Sequence, residues 1–329
     1  MLENLPAADL AAQGLAQARE AELTKPPGAL GRLEEISAWM SAWQGRHKPS
    51  LEKPACVVFA GNHGVAAQGV SAFPAEVTMQ MVANFKSGGA AINQLCQAFG
   101  ARLSVVALDL DRPTADLSRA PALSEAEFID AFNRGMAAVG QDCDLLAIGE
   151  MGIANTTAAA AIAHALYGGE AQDWTGPGTG VAGQALSHKA MVVGEAVALH
   201  KLAIDNPIEV LRRLGGRELA AMAGATLAAR FLRVPVLLDG YVCTAAVAPL
   251  QACHPQALDH CLVAHVSAEP AHRALCAKLG KEPLLNLGLR LGEASGAALA
   301  IGIVKGAIAC HNGMATFAEA MVSGKDEMR

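Results

Sequence analysis

The spacing of apolar and polar positions changes several times along the chain. Ala7 to Leu23 carries apolar residues at helical spacing. Lys25-Pro26-Pro27-Gly28 ends that pattern, because two prolines and a glycine cannot continue an α-helical hydrogen-bond ladder. Leu33, Ile36, Met40 and Trp43 then fall on one face of a second helix. Near Pro54 the texture becomes β-like: Cys56-Val57-Val58-Phe59-Ala60 is a short apolar run ending in Gly61-Asn62-His63-Gly64. Further strand-like runs occupy Leu103 to Leu108, Leu145 to Ile148, Val234 to Leu238 and Leu262 to Val266. Ala-rich helical stretches lie between them, at Val77 to Ala98, Thr157 to Leu166, Lys189 to Leu202 and Arg217 to Arg230. Gly88-Gly89 divides the first of these into two helices.

Strands alternating with helices imply an α/β fold: a mainly parallel sheet with helices on both faces. Ligands of such sheets bind beyond the carboxyl ends of the strands, which directs attention to the loops after Ala60, Ile148, Leu238 and Val266. Leu284 to Ala320 reads as helical again, interrupted by Gly292-Glu293-Ala294-Ser295-Gly296. The helical ends of the chain are expected to pack together. Residues 1–53 and 281–329 would form a small helical domain beside a large α/β domain at 54–280.

Composition narrows the function classes. Among 329 residues, 52% are hydrophobic and 17% charged, so a large core can form and disorder is not expected. Net charge is −6 with no basic run, and aromatics make up only 4%, which argues against nucleic acid or an anionic membrane as partner. The eight cysteines form no CxxC pair, so neither a disulfide framework nor a zinc ribbon is indicated. The N-terminal segment lacks the basic and apolar regions of a signal peptide, and the apolar run Gly296 to Cys310 is short for a membrane span. A soluble cytoplasmic protein is expected.

The stretch Gly149-Glu150-Met151-Gly152-Ile153-Ala154-Asn155-Thr156 joins a buried strand to an Ala-rich helix. Backbone N–H groups and the positive end of a helix dipole converge at such a junction, which suits a phosphate. A tight packing turn fits the same pattern. It is not a Walker loop, lacking GK[ST], nor a GxGxxG dinucleotide turn. Glu150 would repel a phosphate there unless its carboxylate faces another group. Close by in sequence, the glycine-dense loop Trp174 to Val181 offers further amides, and Lys189 a point charge for an anion.

Arg290 and Glu293 flank a helix break among small and apolar residues. Desolvation would raise the pKa of a lone Glu293 and make it a base near neutral pH, whereas a salt bridge to Arg290 would leave it inert. Ser71, Ala72, Phe73 and Pro74 form a small, partly apolar surface suited to a flat ring, with Gln80 one helical turn further on; equally, they simply lead into the helix. His63 is a candidate base or ligand in a turn where histidine is commonly structural. Cys253, His254, His260, Cys261 and His265 fit no zinc template. No GxSxG elbow supports a serine triad.

Read together, the motifs KPPGALGRLEE, FAGNHGV, QGVSAFP, GGAAIN, GEMGIANTTAAAA, TGPGTG, SHKA, GGRELAAMAGA, LLDGYV, AHVSAEPAH and LRLGEASGAALA resemble, in order and over Lys25 to Ala320, the nicotinate-nucleotide–dimethylbenzimidazole phosphoribosyltransferase (CobT) family. The resemblance implies a Rossmann-like large domain, a small domain from both chain ends and a homodimer. It implies phosphoribosyl transfer from nicotinate mononucleotide to 5,6-dimethylbenzimidazole, without cofactor or metal. Glu293 falls on the family's base. Gly152, Ala154, Asn155 and Thr156 fall on its phosphate turn, Lys189 on its lysine, and Glu150 on a second acidic residue facing the ribose. Gly178, Thr179, Gly180 and Arg290 resemble the nicotinate side; Ser71, Phe73 and Gln80 resemble the benzimidazole pocket. Three positions depart from the pattern: Asn62 replaces an Asp, and Ala154 and Ala294 replace glycines. Those alanines are expected to be tolerated if φ is negative. Two rival readings are a phosphosugar or dinucleotide enzyme using the same crevice, and a nucleotide-binding protein without catalysis.

Overall fold

The computed structural model describes residues 2–323; Met1 and residues 324–329 of the expected terminal segments lie outside the described residues. Helices α1 (Leu10–Glu22) and α2 (Arg32–Gln44) precede strand β1 (Pro54–Ala60). There follow α3 (Glu76–Ser87), α4 (Ala91–Phe99), β2 (Arg102–Ala107), α5 (Glu125–Ala137), β3 (Leu145–Met151) and α6 (Asn155–Tyr167). Next come α7 (Ala171–Trp174), α8 (Gln184–His200), α9 (Pro207–Leu214), α10 (Arg217–Phe231) and β4 (Val236–Leu238). The chain continues through α11 (Tyr241–Cys253), β5 (Cys261–Val263), α12 (His272–Lys278), α13 (Ser295–Gly313) and α14 (Phe317–Ala320).

The five strands form one parallel sheet in the order β2-β1-β3-β4-β5. The chain reverses its winding between β1 and β3, and this switch point opens the crevice of a doubly wound sheet. Alternate residues of β1 and β3 feed opposite faces. Val57, Phe59, Leu146 and Ile148 enter one apolar core with α6, α10 and α11. Cys56, Val58, Leu145 and Ala147 enter the other with α2, α3, α4 and α13. Burial on both faces explains why these strands are nearly continuous apolar runs. The expected α/β architecture is therefore met. The parallel strand order itself was not legible.

The two ends of the chain are tied together. Arg19 of α1 donates to the carbonyls of His311 and Met314, and buried Lys25 bridges Glu20 and Glu34 at 3.0 and 2.7 Å. Helices α2 and α13 pack on each other and also share the apolar core beneath the sheet.

Several expectations need correction. Residues 284–291 are not helical. Leu284 and Leu285 donate to Val263 and Ala264, and Leu285 and Leu289 accept from Val266 and Ala268, so this segment runs extended beside the exit of β5. Its leucines alternate at 285, 287, 289 and 291, a period of two that favours extended chain. Strands β4 and β5 are shorter than the apolar runs that contain them. Helix α11 escaped notice because Tyr241 to Leu250 is buried on all sides and shows no amphipathic period. Among the described residues no helix is long and apolar enough to cross a membrane.

Candidate active site

A cleft of about 790 Å³ opens at the carboxyl edge of the sheet. Its walls come from the β3–α6 junction, the start of α11, the segment after β5, the 288–293 loop and the face of α3 carrying Val77 and Met81.

Strand β3 runs on through Glu150 to Met151, so the turn proper is Gly152 to Ala154. Gly152 has no room for a side chain: an added Cβ would stand 2.7 Å from the Gly61 carbonyl and 2.8 Å from the Glu218 carboxylate. Ala154 adopts a left-handed φ of 74° and offers no side-chain cap to α6, which leaves the helix end to backbone groups. Asn155, the first residue of α6, donates its side-chain amide to Glu150 through a short hydrogen bond. Burial nevertheless pushes the Glu150 carboxyl up to about 8, and the charges of Asp239, Glu218 and Glu293 push the same way.

Glu293 enters from the far end of the chain. Its amide donates to the Glu150 carbonyl at 3.2 Å. Both Glu293 and Ala294 are left-handed, with φ of 63° and 65°, which turns the chain sharply into α13. Gly149 is confined in turn: Ala294 packs directly on its Cα, where any Cβ would collide with the alanine backbone. Glu293 is 4% exposed, and one of its carboxyl oxygens has no hydrogen-bond partner. Desolvation first, then the charge of Asp239, raise it to about 7. No ion pair joins it to Arg290 among the described residues, so the inert salt-bridged alternative is not what the fold builds. Instead Arg290 reaches the Gly178 carbonyl at 3.5 Å.

The glycine loop is clasped from several directions. Gly178 donates to the Glu269 carboxylate at 2.8 Å, while Thr179 accepts from Ala72 at 3.1 Å and bonds the Ser71 hydroxyl at 2.9 Å. Lys189, on α8, is 1% exposed and stands behind the cleft wall. Its ammonium donates to the Thr156 hydroxyl at 2.8 Å and the Gly176 carbonyl at 2.9 Å, tying the start of α6 to the loop. Burial lowers its pKa to about 8, partly offset by the Glu269 charge.

Of the residues singled out from sequence, Phe73, Glu150, Gly152, Asn155, Thr156, Gly178, Thr179, Arg290 and Glu293 line the cleft together. Lys189 and Ala154 lie beneath its wall, Ser71 borders it through Thr179, and Gly180 is exposed. Gln80 is exposed on α3 and off the cleft, because Val77 and Met81 take the inward positions. Ala154 and Ala294, the positions where the resemblance expects glycine, both have positive φ, contrary to the condition set for tolerating alanine there. His63 is no cleft ligand: it is buried against Glu218 in a short contact beneath the Gly152 turn.

Sequence reasoning missed Glu269, His265, Ser267, Tyr241 and Val242 as cleft residues. The loops after Leu238 and Val266 were flagged, but no periodicity selects individual side chains within a loop. Among the described residues no three His, Cys, Asp or Glu side chains gather as a metal would require.

Fold and site define a doubly wound α/β protein whose cleft pairs a helix N-terminus with desolvated carboxyls, the equipment of a small-molecule transferase. The phosphoribosyltransferase family model matches residues 5–322. A nicotinate-nucleotide–dimethylbenzimidazole phosphoribosyltransferase of Ruegeria sp. (strain TM1040) is 61% identical over 98% of this chain and 95% of its own. That of Rhizobium meliloti is 59% identical over 99% and 96%. The crystal structure of CobT from Thermus thermophilus superposes with a TM-score of 0.88 at 40% identity, covering 95% of this chain and 99% of that one. The chain belongs to the nicotinate-nucleotide–dimethylbenzimidazole phosphoribosyltransferase family.

Proposed function

We propose that this protein transfers the phosphoribosyl group of nicotinate mononucleotide to 5,6-dimethylbenzimidazole, giving α-ribazole 5′-phosphate and nicotinate for cobalamin assembly. The observation that carries the mechanism is the Glu293 carboxyl: buried at the cleft, free of a cationic partner and raised to about 7. A neutral benzimidazole is a weak nucleophile. Glu293 takes its N–H proton while the other ring nitrogen attacks C1′ of the ribose. The C1′–pyridinium bond breaks as the new C–N bond forms, and its electron pair neutralises the departing nicotinate nitrogen. One displacement inverts the β-nucleotide to an α-product without a covalent intermediate. No pyrophosphate leaves, so this chemistry has no step that calls for a divalent clamp on the leaving group.

The 5′-phosphate belongs at Gly152, Ala154, Asn155 and Thr156, where the uncapped start of α6 supplies amides and dipole. Lys189 supports that end from below through Thr156. Glu150, held by Asn155, faces the ribose hydroxyls. Gly178, Thr179, Gly180 and Arg290 take the nicotinate side. Phe73, with Ser71 behind it, forms the benzimidazole pocket together with Val77 and Met81. We assign 1–53 with 281–329 to a small helical unit beside 54–280, in a cytoplasmic homodimer.

The decisive experiment replaces Glu293 by Gln. The variant should bind nicotinate mononucleotide with near-parental affinity in calorimetry and lose turnover by at least ~100-fold. Full turnover in the variant would refute the base assignment. Absence of turnover in the parent, with both substrates supplied, would favour a nucleotide-binding protein instead.

A further inference from the structure

Helix α13, which follows Glu293, has no cap of its own. Its N-cap position is Ala294, whose side chain accepts nothing. The missing acceptor comes from another part of the fold: Asp239, at the exit of β4, accepts the Ala297 amide in the first turn of α13 at 2.9 Å. The amide at that position is the one a side-chain cap ordinarily takes. Asp239 is itself fixed, since its amide donates to the Ile148 carbonyl of β3 at 3.3 Å. One residue thus links the central strands to the turn that carries Glu293.

A cap requires only one acceptor atom, and Asp239 brings more than that. Its oxygen Oδ1 serves the Ala297 amide and faces His265 Nε2 at 3.4 Å, while Oδ2 is buried without a partner. The residue is 1% exposed. An Asn or Ser would cap α13 without leaving an orphaned charged oxygen in the interior, so the charge is the part that capping leaves unexplained.

We propose that Asp239 is a positioning residue for Glu293: it fixes the Glu293–Ala294 turn through Ala297 and places a second carboxyl group behind that turn. The ionisable groups that line the cleft with Glu293 include Glu150 at the end of β3, His265 after β5 and Arg290 on its own loop. Glu269 and Lys189 flank the opposite wall, and Glu218 lies beneath Glu150. Asp239 is the one charged group that also anchors the helix start.

The inference rests on the assignment of Glu293 as base. Its test compares kcat and kcat/KM against pH in the parent and in Asp239→Asn, which retains an acceptor for Ala297 but no charge. The acid limb should move down by about half a unit to one unit, because Glu293 gives up its proton more easily. The plateau rate should fall about 2–10-fold as the base weakens, with the nucleotide KM little changed. Asp239→Ala, which also loses the cap, should lose a further tenfold or so in kcat and some thermal stability. An Asp239→Asn limb that coincides with the parental one would overturn the proposal and leave Asp239 as a cap only. Asp239→Ser, another neutral acceptor, is read in the same way should the Asn variant not fold; failure of both to fold would also overturn it. Glu293→Gln keeps the two ideas apart. If it turns over, the base assignment has failed; if it is inert while the limb of Asp239→Asn stays put, only this inference has.

Discussion

The amide of Glu293 donates to the carbonyl of Glu150 at 3.2 Å, joining through backbone two acidic residues of the cleft. The hydrogen bond holds the two backbones together, and both side chains line the same cleft. Both are raised by burial, to about 7 for Glu293 and about 8 for Glu150. With Glu293 as base, turnover should be full above pH 8 and fall about tenfold per unit once pH drops below about 7. A pH–rate profile under subsaturating benzimidazole, corrected for titration of the base itself, checks this.

The same burial costs stability. The unfolded carboxyl sits near its ordinary value of 4.5 and the folded one near 7, so the native state binds this proton more tightly. The stabilisation it provides is complete below about 4.5 and is lost as pH rises through about 7. Glu293→Gln, neutral throughout, should therefore be more stable than the parent at pH 8 by about 1–3 kcal/mol and nearly equal to it at pH 4.5. Urea titrations at the two pH values measure the difference.

Lys189 donates to Thr156 and Gly176, and so holds the proposed phosphate end of the cleft from behind. Lys189→Met keeps the stem and removes the charge and both hydrogen bonds. Affinity for nicotinate mononucleotide should drop about 10–100-fold by calorimetry at pH 7, the cost of a charged hydrogen-bonding group in a buried site. In the parent, affinity should weaken as pH rises through about 8, where the ammonium loses its proton.

Ala154 and Ala294 hold left-handed backbone that glycine would adopt without strain. Their methyls are buried, at 3% and 0% exposure, in opposite cores. Relief of about 1 kcal/mol from replacing either with Gly is offset by about 0.8 kcal/mol of lost methyl burial. Each Ala→Gly variant should thus stay within about 1 kcal/mol of the parent in urea denaturation and keep its activity. A loss of about 2 kcal/mol or more would show that methyl packing outweighs the backbone.

Beneath the Gly152 turn, Glu218 and His63 form a fully buried pair with Gly61, Gly152 and Gly216 closing over it. His63→Ala would strand the carboxylate and should cost about 3–5 kcal/mol, seen as a lower urea midpoint.

Much of the layout was legible in the chain. The strands announced themselves because a parallel sheet buried on both faces demands unbroken apolar runs, as in Cys56 to Ala60 and Leu145 to Ile148. Gly88-Gly89 marked a true helix break. The segment 284–291 was misread because its leucines were counted and their alternation was not.

By itself, then, the sequence determined where the strands and most of the amphipathic or Ala-rich helices lie, since burial and turn chemistry act over neighbouring residues, and its ordered motifs pointed to the family. Only the tertiary structure decided that β1 and β3 lie side by side at the switch point and that Glu293 is hydrogen-bonded to Glu150. It alone turned Gln80 away from the cleft, buried Lys189 behind it and brought in Glu269 and Asp239. The pKa values of the carboxyls follow from that assembly. Desolvation and charge depend on distance through space, and the order of residues along a chain does not carry that distance.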